Sequence, residues 1–271
     1  MRALRLAVRI GRIVLVVAYG LVLAAAFIVG ERLGLAGSMT RRQRWTRSFM
    51  GRLTRALPFT VRVHGVVPQQ PMLWVSNHVS WTDIALLGQI APLSFLSKAE
   101  VRHWPIAGWL AQHAGTLFIR RGANDSQRLR REMALRLEDG CPLMIFPEGT
   151  TTDGRQLRTF HGRLLACAAD VGVAVQPVAI RYGRGTKLDP IAPFIGDDDL
   201  LSHLMRLLRA DAGEVDIYLL EPIETRAVER AALAFKAQEA VRVALFGDSR
   251  EEPRLATGPQ EVRGPALLPQ A

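Results

Sequence analysis

Ile13 to Gly30 is an uncharged apolar run of 18 residues. Backbone surrounded by lipid finds no water to bond, so a run of this kind is stable only as a helix. At about 1.5 Å per residue it covers most of a bilayer core. Ala24-Ala25-Ala26 offers small residues of the kind found at signal cleavage sites. The run continues past them, however, and a signal core is usually shorter. The expectation is a retained anchor. Arg2, Arg5, Arg9 and Arg12 precede it; Arg32, Arg41, Arg42, Arg44, Arg47, Arg52 and Arg55 follow, with Glu31 as the only acid among them. Both flanks are therefore positive, and the positive-inside rule holds neither end outside. Either the helix spans the membrane with the more basic flank in the cytoplasm, or it enters one leaflet and returns beside an amphipathic helix around Met39 to Ala56. Both solutions place the main domain in the cytoplasm, at the inner membrane.

The chain of 271 residues is 49% hydrophobic, enough for one full-sized domain with appendages. Its net charge of +10 suits an anionic partner, whether membrane surface, nucleic acid or phosphorylated substrate. Arg carries nearly all of that charge, since Lys98, Lys187 and Lys236 are the only lysines. Cys141 and Cys167 make no disulfide framework and have no metal-ligand spacing to a His.

Beyond residue 56 apolar runs and amphipathic stretches alternate. Strands are expected at Phe59–His64, Met72–Ser76, Leu93–Ser97, Gly115–Ile119, Pro142–Phe146, Val173–Tyr182 (interrupted by Pro177) and Glu214–Leu220. Helices are expected from a Ser80 cap to Gln89, over Ile106–His113, and from an Asn124 or Asp125 cap to Asp139, where Gly140 stops it. Further helices are expected over Phe160–Val171, from Asp197-Asp198-Asp199 to Arg209, and over Val228–Leu245. This alternation describes an α/β fold, with a mixed, partly parallel sheet flanked by helices and an N-terminal membrane helix. Three regions result: an anchor with its amphipathic helix (1–56), a main domain (57–246), and a tail rich in Pro, Gly and charge that reads as disordered (247–271).

Two clusters in the main domain carry chemistry. Trp74 to Asp83 runs from a buried strand into a helix, and the mouth of such a strand is where α/β proteins place their sites. His78 can take a proton near neutral pH, and an acid such as Asp83 can fix its tautomer and stabilise the imidazolium. Ser80-x-x-Asp83 also reads as a capping box, which would leave His78 an ordinary loop residue. No G-x-S-x-G elbow is present, so a covalent serine route has little support. The second cluster, Phe146-Pro147-Glu148-Gly149-Thr150, follows another strand; a carboxylate, a glycine and a hydroxyl there can hold a polyol or form a plain surface turn. Arg120 and Arg121 end a third strand, and a guanidinium suits phosphate.

Taken together, Asn77-His78-x-Ser80-x-x-Asp83, Gly115-x-x-Phe118-Ile119-x-Arg121, Phe146-Pro147-Glu148-Gly149-Thr150 and Val175-Gln176-Pro177-Val178 resemble the glycerolipid acyltransferase family, which includes the 1-acylglycerol-3-phosphate acyltransferases. The blocks occur in the family's order over about residues 57–222, and Lys98, Glu100, Pro105 and Gly108 match the segment between the first two. The resemblance implies that His78 is the general base on an acceptor hydroxyl, with Asp83 orienting it. The alkoxide then attacks the thioester of acyl-CoA or acyl carrier protein directly. It places Arg121, Glu148, Gly149 and Thr150 near the acceptor's polar head, with Asn77, Ser80, Lys98, Phe146, Pro147 and Pro177 in support. It calls for no metal and no bound cofactor, and for a membrane lipid as acceptor. One departure stands out: Thr151 occupies a position where many relatives carry Arg. The expected acceptor is lysophosphatidate, with lyso-ornithine lipid as the alternative. A non-catalytic membrane-surface module would not need His78, Asp83 and Glu148 at strand ends, and nothing in the chain matches a nucleic-acid-binding pattern.

Overall fold

The computed structural model describes residues 2–34, 39–119, 125–226 and 228–247. Helix α1 (Arg2–Arg32) and helix α2 (Met39–Ala56) form a hairpin. Phe27 meets Trp45 edge-on, Gly20 faces the Phe49 ring, and Ile13 clusters with Ala56 and Leu57. A Cβ on Gly20 would fall 2.5 Å from Phe49, so the two helices approach more closely there than a larger residue allows.

The main domain is built on one mixed sheet. Its strands are β1 (Phe59–His64), β2 (Leu73–Ser76), β3 (Ser94–Lys98), β4 (Leu117–Ile119), β5 (Leu143–Ile145), β6 (Val175–Arg184), β7 (Lys187–Leu188) and β8 (Gly213–Leu219). They lie in the order β1-β8-β6-β2-β5-β3-β4, with β7 folded back on β6. From β6 to β4 all neighbours are parallel; β8 turns antiparallel to β6 and carries β1 parallel to itself. Strand β2 is buried on both faces, which explains why its sequence is continuously apolar rather than alternating. Leu73 and Val75 join a core with residues of α5 (Asp125–Glu138), α6 (Ala166–Val171) and α8 (Arg230–Phe246). Trp74 joins the opposite core with Leu86 and Leu87 of α3 (Thr82–Gly88). The remaining helices are α4 (Ala107–His113), after a 3-10 turn over Ala99–His103, and α7 (Leu200–Arg209).

The elements expected from sequence are present, with three differences. The helix expected over Phe160–Val171 is reduced to α6; ahead of it Phe160 N–H donates to Gln238 Oε1 and His161 N–H to the Pro147 carbonyl, and the turn that follows closes through Leu165 N–H on the Gly162 carbonyl. Strand β6 runs on to Arg184 because β7 pairs with its end. Ser80 is not the cap of α3, which begins after Trp81 without a side-chain cap. Residues 120–124 lie outside the described residues, and with them Arg121; so does the expected tail beyond Gly247.

Pro177 sits in the central strand β6, where a missing N–H is normally excluded. The sheet accommodates it locally. Leu220 N–H donates to the Pro177 carbonyl, and the Gln176 side-chain amide donates to the Leu220 carbonyl in place of the absent Pro177 N–H. The pairing also slips by one residue here, since Val178 pairs with Leu219 while Val175 bridges Ile223.

Asn77 performs a similar splice. The β2–β6 pairing ends at Ser76 and Val178, yet Asn77 Nδ2 donates to the Ile180 carbonyl and Asn77 Oδ1 accepts from Ile180 N–H, both at 2.9 Å. The side chain prolongs the ladder just where the chain leaves it. Asn77→Ala strands two buried backbone groups, each costing about 1–3 kcal/mol. We expect a loss of stability of that order in denaturant titration of the detergent-solubilised protein. An unchanged midpoint would show that water replaces the amide.

Candidate active site

Three adjacent parallel strands converge on the site. β2 delivers His78, β5 delivers Phe146 and Glu148, and β6 delivers Tyr182. His78 Nδ1 lies 2.8 Å from Asp83 Oδ2. The same oxygen accepts from Val79 N–H at 2.8 Å and Ser80 N–H at 3.0 Å. The other oxygen, Oδ1, accepts from the Tyr182 hydroxyl. Asp83 is fully buried. An ionised carboxylate is acceptor-only, so the proton of the His78–Asp83 contact belongs to Nδ1. His78 Nε2 then carries the ring's lone pair, and it has no hydrogen-bond partner among the described residues. The ring stacks on Phe146, with centroids 3.9 Å apart and planes 11° from parallel, which fixes its second degree of freedom.

The backbone of His78 is clamped as firmly. Its N–H donates to Glu148 Oε1 at 2.8 Å, and its carbonyl accepts from Thr152 N–H at 2.8 Å. Glu148 Oε2 accepts from Arg158 N–H at 3.0 Å. Burial pushes the Glu148 carboxyl up from its ordinary value, while these two backbone donors pull the other way. Glu148 therefore ties the β5 loop to the β2 loop through both oxygens. Gly149 turns that loop at φ 68° and lies exposed, and Thr150 is half-buried beside it. Pro147 is buried and its carbonyl holds His161 N–H. Lys98 closes β3, one strand beyond β5, and is half-buried. Ser80 is wholly buried, and its hydroxyl lies 3.5 Å from Thr82 N–H.

Two partners of this site were not singled out from sequence. Tyr182 lies in an apolar strand whose pattern marks it only as core. Burial and the neighbouring Asp83 carboxylate push its hydroxyl well above the ordinary value, so it stays protonated and donates. Thr82 Oγ1 sits 2.7 Å from the same hydroxyl. The second partner is His203 on α7, fully buried. Its Nε2–H donates to the Pro193 carbonyl at 3.1 Å, and its Nδ1 accepts from Trp81 Nε1–H at 2.9 Å. Burial pushes this imidazole below its ordinary value, consistent with a neutral ring. Next to it, Phe194 N–H donates to the Val79 carbonyl, and the Thr151 hydroxyl donates to the Phe194 carbonyl.

Comparison with known proteins identifies what this geometry belongs to. A family model described as Acyltransferase matches residues 60–181, the stretch that holds His78, Asp83, Phe146 and Glu148. The lyso-ornithine lipid O-acyltransferase of Pseudomonas aeruginosa is 62% identical over 247 residues, covering 91% of this chain and 96% of that protein. The chain belongs to the acyltransferase family. The Brucella abortus lyso-ornithine lipid O-acyltransferase is 36% identical, covering 86% of the chain and 94% of the relative. The 1-acyl-sn-glycerol-3-phosphate acyltransferase of Neisseria meningitidis serogroup B is 31% identical, covering 72% and 78%. The crystal structure of PlsC, the 1-acyl-sn-glycerophosphate acyltransferase of Thermotoga maritima, superposes with a TM-score of 0.59 over 88% of this chain at 23% identity, which shows the fold. This acyltransferase thus has the mixed, helix-flanked sheet that its sequence implied.

The Tyr182 contact is directly testable. A hydrogen bond to a charged group is worth about 1.5–3 kcal/mol, so Tyr182→Phe should lower kcat by about tenfold to a hundredfold. Asp83→Asn, which cannot stabilise an imidazolium, should cost more. Wild-type turnover by a folded Tyr182→Phe protein would show that Asp83 is held without it.

Proposed function

We propose that this acyltransferase transfers a fatty acyl group from a thioester, acyl-CoA or acyl carrier protein, to the hydroxyl of a lyso-ornithine lipid. The observation that carries the catalytic part is the His78–Asp83 contact, which leaves Nε2 as an open base. His78 Nε2 takes the proton of the acceptor hydroxyl, and the oxygen attacks the thioester carbonyl carbon. The carbon–sulfur bond breaks, and the departing thiolate takes the proton back from the imidazolium, so the ring ends as it began. Asp83 orients the ring and stabilises the cation in between. Atoms and charges balance without any redox step, and the chemistry asks for no metal or cofactor. Glu148 positions His78 through the backbone, while Gly149 and Thr150 face the acceptor's polar head.

The choice of acceptor rests on the Pseudomonas aeruginosa relative sharing 62% of its residues, a lyso-ornithine lipid O-acyltransferase. Thr151 supports it. A phosphomonoester bears nearly two negative charges and is best held by more than one cation. In place of the Arg of many relatives, Thr151 offers a neutral hydroxyl already committed to the Phe194 carbonyl. Arg155, by contrast, is 79% exposed and sits beside Asp153.

An apolar cavity of about 380 Å³ supports an acyl chain as part of the substrate. Residues of α1 and α2 form one wall, and Trp81, Ile84 and Ala85 at the start of α3 form another. The hairpin also favours one membrane topology. Arg41, Arg44, Arg47 and Arg55 are exposed on α2, which packs along α1 from Phe27 to Ile13. An Arg at the bilayer centre costs roughly 2.5–3.5 kcal/mol on insertion scales. Spanning would carry several of them into the bilayer. We infer that α1 lies in one leaflet, with its exposed stripe of Leu4, Val8, Leu15, Val22 and Val29 in the lipid and the catalytic domain on the cytoplasmic side, where the thioester donors are.

An assay of detergent-solubilised protein with one acyl donor and a panel of acceptors tests the reading. Wild type should acylate lyso-ornithine lipid in strong preference to lysophosphatidate, and Thr151→Arg should shift the ratio towards lysophosphatidate. Strong turnover of lysophosphatidate with none of lyso-ornithine lipid would overturn the acceptor while leaving the acyl transfer intact.

A further inference from the structure

The segment between the 3-10 turn and α4 holds an unusual backbone. Ile106 has φ 61° and ψ −59°, the one positive φ at a non-glycine residue among the described residues. Ala107 N–H donates back to the Pro105 carbonyl at 2.6 Å, closing a three-residue γ-turn of the rare, strained hand. A β-branched residue there is an outlier. Strain of this kind persists only where its surroundings over-determine it, and the surroundings are visible. Gly108, in the first turn of α4, lies against the carbonyls of Val101 and Arg102, and a Cβ on it would lie 2.5 Å from each oxygen. The turn is therefore pinned to the 3-10 segment and cannot relax by moving away.

The turn leaves Ile106 51% exposed, with Trp109 one helical turn on at 37%. Trp104, Pro105 and Ile106 also line the apolar cavity, whose opposite wall is α1 and α2. Helix α4 packs against α1 directly. The exposed tip is thus continuous, around the cavity rim, with the helix that carries the exposed apolar stripe. Its neighbours Arg102 and His103 are exposed. An apolar tip, a half-exposed tryptophan and flanking basic residues are what a headgroup–acyl boundary accepts: the ring sits at the interface and the guanidinium reaches the headgroups.

We propose that the strap from Trp104 to Trp109 is a second membrane contact, separate from the α1–α2 hairpin. Ile106 and Trp109 enter the leaflet and hold the cavity rim against lipid, so that the acceptor's chain passes from bilayer to cavity without crossing water. The proposal rests on the reading of α1 and α2 as the membrane face.

The test uses full-length protein carrying Ile106→Cys, Trp109→Cys or, as a control, Gln69→Cys. Gln69 is exposed ahead of β2, at the end of that strand away from His78. Cys141 and Cys167 are buried and spared by labelling of the folded protein. Each variant receives a polarity-sensitive fluorophore and is mixed with phosphatidylethanolamine–phosphatidylglycerol vesicles, with or without bromine on the acyl chains. Labels at 106 and 109 should shift to the blue and be quenched severalfold by the brominated chains, while the label at 69 should do neither. Water-like emission at 106 or 109 on protein that co-sediments with vesicles overturns the strap contact alone. Failure of all three proteins to co-sediment overturns the membrane reading beneath it as well. Should Ile106→Cys not fold, the Trp109 label decides. No acceptor is present, so the outcome is independent of the lipid the enzyme acylates.

Discussion

A single buried carboxylate organises the site. Asp83 is fully enclosed, and an unpaired charge in that position would cost several kcal/mol. Four donors offset this: the His78 ring, the amides of Val79 and Ser80, and the Tyr182 hydroxyl. They come from the loop after β2 and from strand β6, while the anion itself sits at the start of α3, so satisfying it fixes three elements relative to one another. It also fixes the chemistry. Because the carboxylate only accepts, His78 holds its proton on Nδ1, which leaves Nε2 free for the proposed role of base. Catalytic orientation and local folding are therefore one requirement.

The rest of the architecture protects that arrangement. Glu148 and Thr152 hold both backbone groups of His78 from the β5 side. Asn77 and Gln176 repair the ladder where β2 ends and where Pro177 withholds its amide. On the membrane side, Arg9 donates to the carbonyls of Leu208 and Ala210 and so closes the C-terminal end of α7. The same helix carries His203, which grips Trp81 three residues after His78. Helix α1 and the loop that carries His78 are thus linked by a short chain of packed and hydrogen-bonded groups.

Much of this was legible in the sequence, for physical reasons. Strand and helix periodicities gave the order of elements, and the strand mouths gave His78, Asp83 and Glu148. Of the capping box read in Ser80-x-x-Asp83 only one bond is present, Ser80 N–H to Asp83 Oδ2, and that oxygen also accepts from His78. Tyr182 and His203 were not legible. Their roles arise from contacts 99 and 122 residues apart in the chain, and no periodicity encodes these. The segment before α6 is likewise tied by distant partners, with Phe160 N–H on Gln238 and His161 N–H on the Pro147 carbonyl, which local periodicity does not encode. The resemblance places Glu148 near the acceptor's polar head; its grip on the amides of His78 and Arg158 depends on β5 lying beside β2, which the sequence does not show. The topology of the anchor stayed open because composition alone does not say which face of α1 is covered by an arginine-rich helix.

The most direct test of the account is the turnover of His78→Ala with the preferred acceptor, measured on protein shown to be folded. General-base catalysis is worth about 10²–10⁴ in rate. The account predicts a loss of kcat of at least that lower bound, with stability and vesicle binding retained. Near-normal turnover by folded His78→Ala protein would contradict it.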